Sequence, residues 1–354
     1  MPELDRLLRH LKERGGSDLH LAAGREPRVR VRGALESVPD WGVLDDGQLR
    51  ALLEPVASER CWREWLETHD VDFAYGLDGV GRFRANYFEQ EHGAGAVFRM
   101  IPEQVVPLES LALPAVIAKL AELRAGLVLV TGPTGSGKST TLAAVIDKIN
   151  RESSRHVVTI EDPVEFVHAN ARSVLSHREV GQHTRSFADA LRSAVRQDAD
   201  VVLVGELRDR DTIAMALAAA EMGLLVFGTL HTSGAAKSVD RIVDAFPAAE
   251  QGQIRISLSE SLAAVVSQLL LPSRDGKGRV PVNEILLRTP GLANLIREGN
   301  TPMIQSLIQS GKKDGMQAMD DALFALLQAG RIDPREAYRK ATDKTRFESF
   351  APND

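Results

Sequence analysis

The spacing of apolar and polar residues changes near residue 100. Before that point, short alternating runs such as RVRVR at 28–32 predict strands with one face exposed. Helical spacing is seen at 4–11 and again around 45–66. Strands are predicted at 28–32, 71–75, 81–88 and 94–100. These elements predict a mixed α/β first domain over residues 1–101.

The later part of the chain carries runs that are apolar at every position and that alternate with helical segments. Such strands are buried on both faces, as in a parallel sheet that is covered by helices. After about Pro247 the pattern becomes largely helical, with one short strand near 280–287. The buried strands are predicted at 127–130, 157–160, 201–204 and 224–227. We therefore expect an α/β domain with a helical C-terminal region over residues 114–354.

Prolines mark the boundary between these two parts. Pro102, Pro107 and Pro114 fall within 13 consecutive residues. Proline disfavours the interior of both helices and sheets. A hinge or linker is therefore predicted over residues 102–113.

Composition excludes several classes of protein. The 354 residues are 44% hydrophobic and 26% charged, as in a globular chain. The single cysteine, Cys61, excludes an internal disulfide framework and a multi-cysteine zinc site. A net charge of −6 gives no sign of a nucleic-acid-binding surface. The least polar stretch, 213–230, contains Glu221 and two glycines, so it predicts a buried helix, a turn and a buried strand, without direct membrane insertion.

A phosphate-binding loop follows the predicted strand 127–130. Its pattern is G-x-x-x-x-G-K-S, and a helical run begins at Thr140. Backbone N–H groups of such a loop surround phosphate oxygens, the lysine reaches the β- and γ-phosphates of ATP, and the serine hydroxyl holds Mg²⁺. The alternative is a glycine-rich turn without a ligand. The predicted nucleotide-binding residues are Gly132, Pro133, Thr134, Gly135, Ser136, Gly137, Lys138, Ser139 and Thr140.

Carboxylates and one histidine follow the next buried strands. Strand 201–204 leads into Gly205 and Glu206, and Glu206 stands where a general base for water would be. His231 follows strand 224–227 and could sense the γ-phosphate or orient water. Glu161, Asp162 and Glu165 follow strand 157–160 and could hold Mg²⁺ through its waters. The alternatives are a helix-start carboxylate for Glu206, turn chemistry around Pro163 for the cluster, and a structural histidine.

Taken together, these segments resemble the hexameric secretion ATPases that power type IV pili and type II secretion. TIEDPVEF is similar to the Asp box of that family, DADVVLVGELRD to its atypical Walker B, and GTLHTSGAAKSVDRIVDAFP to its His box. That His-box segment and NLIREGNTPMIQSLIQSG resemble the pilus retraction branch most closely. The resemblance implies a PAS-like N-terminal domain followed by a RecA-like ATPase domain with a helical C-terminal region.

The same resemblance assigns roles to individual residues. It implies that Glu206 is the catalytic carboxylate, that Glu165 and His231 act in catalysis, and that Glu161 and Asp162 act with Ser139 at the metal. It also implies phosphate contacts for Arg82, Arg84 and Arg99 of the N-terminal domain. Arg82 and Arg84 alternate, so both side chains lie on one strand face. The alternative for these arginines is that they are solvated strand residues.

One departure concerns the retraction motif AIRNLIRE, which reads GLANLIRE here, so Ala293 replaces its first arginine. The segment to which the family's coupling role is attributed therefore differs at this position.

The function implied is Mg²⁺-dependent ATP hydrolysis by a homohexamer that drives pilus retraction and twitching motility. The implied partner is an inner-membrane pilus platform protein, and the implied location is cytoplasmic, at the inner face of that membrane. Alternatives are a pilus-assembly or type II secretion ATPase, or an accessory retraction motor. A DNA-dependent RecA-like ATPase and a regulatory nucleotide-binding protein without turnover also remain open.

Overall fold

The computed structural model describes residues 3–101 and 105–350. Contacts divide the chain into two compact units. The first consists of Met1–Gln104 with Asp162–Val167, and the second consists of Val105–Glu161 with His168–Asp354. The predicted linker, 102–113, begins next to this division, but its residues Leu108–Leu111 form a 3₁₀ turn whose Leu108 is buried in the core of the second unit. Residues 102–104 lie outside the described residues.

The first unit is a six-stranded antiparallel sheet in the order β3-β2-β1-β6-β5-β4. Its strands are β1 (Asp18–Ala22), β2 (Arg28–Val31), β3 (Ala34–Ser37), β4 (Asp70–Leu77), β5 (Gly81–Gln90) and β6 (Gly93–Ile101). Its helices are α1 (Leu4–Glu13), α2 (Asp46–Leu53) and α3 (Glu59–Thr68). The four predicted strands and the first helix are confirmed.

The helical stretch predicted around 45–66 is confirmed, and it consists of two helices, α2 and α3. Asp45 and Gln48 form a reciprocal capping box that starts α2. Pro55 cannot continue that helix, and the Ser58 hydroxyl accepts a hydrogen bond from the Cys61 N–H to start α3.

The second unit is built on a seven-stranded sheet in the order β13-β12-β7-β11-β10-β8-β9. All neighbours are parallel except β12 and β13. Its strands are β7 (Gly126–Thr131), β8 (His156–Glu161), β9 (Val174–Glu179), β10 (Val201–Val204), β11 (Leu225–Leu230), β12 (Leu262–Pro272) and β13 (Arg279–Leu287). The predicted parallel sheet is therefore confirmed.

Helices cover both faces of that sheet. One face packs on α5 and the other on the helices α6 to α10, so β7 and β10 are buried at every residue. The helices are α4 (Ala115–Lys119), α5 (Lys138–Glu152), α6 (Phe187–Ala194), α7 (Arg210–Glu221), α8 (Ala235–Asp244), α9 (Ala248–Ser261), α10 (Pro290–Glu298), α11 (Ile304–Ser310), α12 (Met319–Gln328) and α13 (Pro334–Lys340).

Two sequence predictions for this unit have different outcomes. The apolar stretch 213–230 does form the buried helix α7, a turn and the buried strand β11. The region after Pro247 is less helical than predicted, because it contains the 11-residue strand β12. No helix in the described residues has both the length and the apolar character needed to span a membrane.

Candidate functional site

Four predicted site segments meet at one edge of the second sheet. Parallel strands bring their carboxyl ends to the same edge, and β7, β11, β10 and β8 are neighbours in that order. The phosphate loop follows β7, His231 follows β11, Glu206 follows β10, and Glu161 is the last residue of β8. The edge thus carries a phosphate-binding loop, then a histidine, then two carboxylates.

The phosphate loop packs closely against β12. Gly132 has φ 143°, and a Cβ added there would lie 2.2 Å from the Gln268 main-chain oxygen, so only glycine fits. Gly137 has φ 85° and precedes α5 without any side-chain cap. The first N–H groups of a helix have no partner within the helix, and its dipole is positive at this end. The loop can therefore donate several backbone hydrogen bonds to an anion.

Two side chains of the loop fit phosphate binding. The Lys138 ammonium donates to the carbonyls of Gly132 (2.9 Å) and Pro133 (3.1 Å), so it lies across the loop. The Ser136 hydroxyl is buried and has no hydrogen-bond partner among the residues that the structure describes. A buried hydroxyl without a partner costs free energy, which a bound phosphate oxygen would recover. Ser139 lies in the first turn of α5 and is exposed.

Glu206 and His231 contact each other. The His231 Nε2 lies 3.2 Å from one carboxylate oxygen of Glu206. The other oxygen accepts a hydrogen bond from the Arg208 guanidinium at 2.7 Å. The carboxylate is therefore held by a ring nitrogen on one side and a cation on the other. Sequence reasoning placed Glu206 and His231 at one sheet edge but did not predict the part played by Arg208.

The backbone on either side of Glu206 is fixed to the neighbouring strands. The Gly205 N–H donates to the Ile160 carbonyl at 2.8 Å, and the Leu207 N–H donates to the Thr229 carbonyl at 3.0 Å. The helix that follows is capped by Asp209, whose side chain accepts from the Thr212 N–H. Glu206 is thus not the capping residue of α7, which removes the simplest structural explanation for this carboxylate.

The Asp-box carboxylates are divided between the two units. Glu161 is buried at the end of β8 in the second unit, and its carbonyl accepts from the Val180 N–H at 2.9 Å. Asp162 and Glu165 belong to the segment Asp162–Val167 of the first unit. Their predicted metal and catalytic roles stay predictions.

The three arginines share one face of the first sheet. Arg82 and Arg84 alternate on β5, and Arg84 lies directly opposite Arg99 on β6. Arg99 donates to the Asp18 carboxylate at 2.7 Å, and Arg84 approaches Asp72 at 3.4 Å. Like charges directly opposite each other destabilise a sheet, which the two carboxylates offset here.

Sequence reasoning also missed Gln268 on β12. Its side-chain amide donates to the Ser136 carbonyl of the phosphate loop at 2.7 Å and accepts from the Thr141 hydroxyl at 3.0 Å. The signal available was a polar pair, Ser267-Gln268, inside the apolar run LAAVVSQLLLP. Because that run was not predicted to be a strand beside β7, nothing connected it with the loop.

Comparison with known proteins agrees with this arrangement. The family model for type II/IV secretion system proteins matches residues 78–332. A twitching motility protein of Neisseria gonorrhoeae is 50% identical over 89% of this chain and 84% of its own length. The type IV pilus retraction ATPase PilT of Pseudomonas aeruginosa is 46% identical over 96% of this chain and 98% of its own.

A solved structure gives the same result for the fold. The pilus retraction motor PilT with bound ADP superposes with a TM-score of 0.90 at 42% identity and covers 99% of both chains. The predicted fold class, an N-terminal domain followed by a RecA-like ATPase domain, is confirmed by this likeness. The chain belongs to the type II/IV secretion system protein family.

Proposed function

We propose that this protein is the ATP-hydrolysing motor of type IV pilus retraction, and so of twitching motility. It is an ATPase of the pilus retraction type, as its family and its relatives over most of its length indicate. The observation that carries the chemistry is the Glu206–His231 contact at the same sheet edge as the phosphate loop. A protein that only bound nucleotide would not need that second group.

The phosphate loop binds the nucleotide. Backbone N–H groups between Gly132 and Thr140 donate to phosphate oxygens, and the Ser136 hydroxyl adds a donor. The Lys138 ammonium exchanges one of its carbonyl partners for a phosphate oxygen, to which it forms a stronger, charge-assisted bond. The ADP bound in the solved PilT motor supports this assignment.

Mg²⁺ fits the donors that the chain offers. The Ser139 hydroxyl is a hard oxygen ligand beside the phosphates, and Glu161 and Asp162 would act on the waters of the ion. No group of three His, Cys, Asp or Glu side chains in residues 3–101 and 105–350 could hold a metal ion by itself. Mg²⁺ usually binds with one or two protein ligands and the phosphates of the substrate, where it neutralises developing charge.

Glu206 acts as the general base for the attacking water. Its carboxylate accepts the proton as the water oxygen bonds to the γ-phosphorus, and ADP leaves with its β-phosphate oxygen. His231 and Arg208 fix the direction of the carboxylate, so the water is held in one orientation. We assign Glu165, in the Asp box, to the same catalytic step.

The arginines Arg82, Arg84 and Arg99 bind phosphate from the first unit. A planar guanidinium donates bidentately to phosphate and keeps its charge at every working pH. Their shared face in the first sheet supports this proposal.

The working form is a closed homohexamer, since a head-to-tail interface must close on itself to avoid filaments. It acts at the cytoplasmic face of the inner membrane on a pilus platform protein. A pilus-assembly or type II secretion ATPase, or an accessory retraction motor, would use the same site. DNA-dependent turnover is disfavoured by the net charge of −6.

Deletion of the gene tests the direction of force. Loss of a retraction motor leaves excess surface pili and no surface motility. Wild-type protein supplied in trans restores the normal number of pili and the motility. A Lys138→Ala protein supplied in trans restores neither. A deletion strain without pili would identify an assembly motor instead.

A further inference from the structure

The hairpin of β12 and β13 carries four buried polar side chains. Ser267 lies opposite Glu284 and Gln268 lies opposite Asn283, each as a cross-strand pair. All four side chains are at most 6% exposed. Buried polar groups are costly unless they are hydrogen-bonded, so their partners indicate what they are for. Those partners include two different segments of the nucleotide site, and the Glu284 carboxylate also accepts from the Met319 N–H at the start of α12.

One pair faces the phosphate loop. Gln268 donates its amide N–H to the Ser136 carbonyl at 2.7 Å, and its own oxygen accepts from Asn283 at 3.1 Å and from Thr141 at 3.0 Å. A trans peptide holds its C=O and N–H on opposite sides. Fixing the Ser136 carbonyl towards β12 therefore turns the Gly137 N–H away from β12, into the loop. Gln268 thus sets the direction of a phosphate-binding donor.

The other pair faces the His-box segment. The Ser267 hydroxyl accepts from the Gly234 N–H at 2.9 Å, and the Glu284 carboxylate accepts from the Ala235 N–H at 2.7 Å. Gly234 has no side chain with which to cap α8, so the hairpin supplies the cap. The segment from His231 to Gly234 is consequently fixed between the end of β11 and the start of α8.

The two pairs are on opposite faces because side chains alternate along a strand. The packing agrees, since Val266 and Ile285 join the core beside α5, whereas Val265 and Leu286 join the core beside α8. A single hairpin therefore holds the nucleotide-binding loop with one face and the histidine segment with the other.

We propose that Gln268 and Glu284 are positioning residues with separate roles, Gln268 for nucleotide binding and Glu284 for turnover through His231. This proposal rests on the proposed ATPase function. The loop donors contact the β-phosphate equally before and during reaction, so their loss raises KM and leaves kcat unchanged. Displacing His231 disturbs Glu206, which acts only during reaction, so kcat falls.

The test compares Gln268→Met and Glu284→Met in the full-length protein. Affinity is measured with a fluorescent ADP analogue, and kcat and KM are measured by phosphate release. For Gln268→Met we expect the ADP Kd and the ATP KM to rise at least about fivefold with kcat within about twofold. For Glu284→Met we expect kcat to fall at least about tenfold with the ADP Kd within about twofold. Glu284→Gln, which keeps one acceptor oxygen for Ala235, should recover part of that kcat.

Gln317→Met is the matched control. The Gln317 amide also donates to a backbone carbonyl at 2.7 Å, that of Asn283, but it does not contact the phosphate loop. If Gln317→Met raises the ADP Kd as much as Gln268→Met does, general loosening explains the effect and the proposal is wrong. The proposal is equally wrong if both Met variants change the same kinetic parameter.

Thermal melts identify variants that do not fold. In that case two milder variants replace them: Gln268→Asn, which is too short to reach Ser136, and Ser267→Ala, which loses the Gly234 bond. Gln268→Asn must raise the ADP Kd, and Ser267→Ala must lower kcat. If this division is absent, the proposal is wrong. Wild-type protein without ATP turnover would overturn the proposed function and the role of Glu284. The role of Gln268 would still be decided by the ADP Kd.

Discussion

Replacing Glu206 by glutamine removes a proton acceptor while keeping the shape of the side chain. The amide oxygen of glutamine can still accept from Arg208, now 2.7 Å from the carboxylate, but its NH₂ group would face the His231 Nε2 that lies 3.2 Å from the other oxygen. A neutral amide cannot take the proton of the attacking water. The contact that orients the side chain is partly kept, and the chemical function is lost.

The expected loss follows from the role of the group. General bases contribute a factor of about 10² to 10⁴ in rate, so loss of the base raises the activation free energy by about 3 to 5 kcal/mol. The phosphate loop is untouched, so the ADP Kd should stay within about threefold of that of wild type. Steady-state phosphate release and titration with a fluorescent ADP analogue measure the two quantities separately.

Glu250→Gln is the matched control for this experiment. Glu250 pairs with Arg210 through two hydrogen bonds of 2.9 and 2.8 Å, so it too is a carboxylate held by an arginine of this region. It lies outside the sheet edge, and its exposed ion pair contributes at most about 1 kcal/mol to stability. Turnover of Glu250→Gln should remain within about twofold of wild type. If Glu206→Gln also hydrolysed ATP within about fivefold of wild type, Glu206 would not be the base.

The remaining predictions concern binding, pH, the arginines and assembly. Lys138→Ala should raise the ADP Kd at least about thirtyfold, since it removes the charged donor of the loop. An unchanged Kd in the same titration would contradict the assignment of Lys138 to phosphate binding. Burial lowers the pKa of His168 from 6.5 to about 4, so between these pH values the unfolded chain binds a proton that the folded chain does not. Between pH 7 and pH 5 this should cost about 2 kcal/mol of unfolding free energy. His168→Gln should therefore lose less thermal stability than wild type between those pH values, and equal losses would refute this origin. Arg82→Ala, Arg84→Ala and Arg99→Ala should each lower turnover far more than ADP affinity, and wild-type turnover in all three would make them solvated strand residues. With Mg²⁺ and nucleotide, the mass in solution should be that of a hexamer, and a strict monomer at micromolar concentration would exclude the ring.

The elements that the sequence predicted well are those with a local signal. A strand that is apolar at every residue, then glycines and lysine at fixed spacing, then a helix, identifies β7, the phosphate loop and α5 without any knowledge of neighbours. The same holds for Glu206 and His231, because each lies within two residues of the end of a buried strand of a parallel sheet. Their side chains meet because β10 and β11 are neighbours.

The features that the sequence did not predict depend on distant residues. Gln268 and Ser136 are 132 positions apart, and only the pairing of β12 with β7 brings them together. The run LAAVVSQLLLP is apolar enough for a buried helix or a buried strand, and periodicity alone cannot distinguish them. The break between α2 and α3 was missed although Pro55 and Ser58 mark it.

Imaging of single labelled pili on living cells tests the central claim most directly. The chromosomal gene is replaced by a Glu206→Gln allele, and extension and retraction of each pilus are timed beside wild type and Glu250→Gln. The account predicts that pili of the Glu206→Gln strain extend but do not retract, whereas the Glu250→Gln strain retracts its pili as wild type does. Retraction at the wild-type frequency in the Glu206→Gln strain would contradict the claim that hydrolysis at this site drives it.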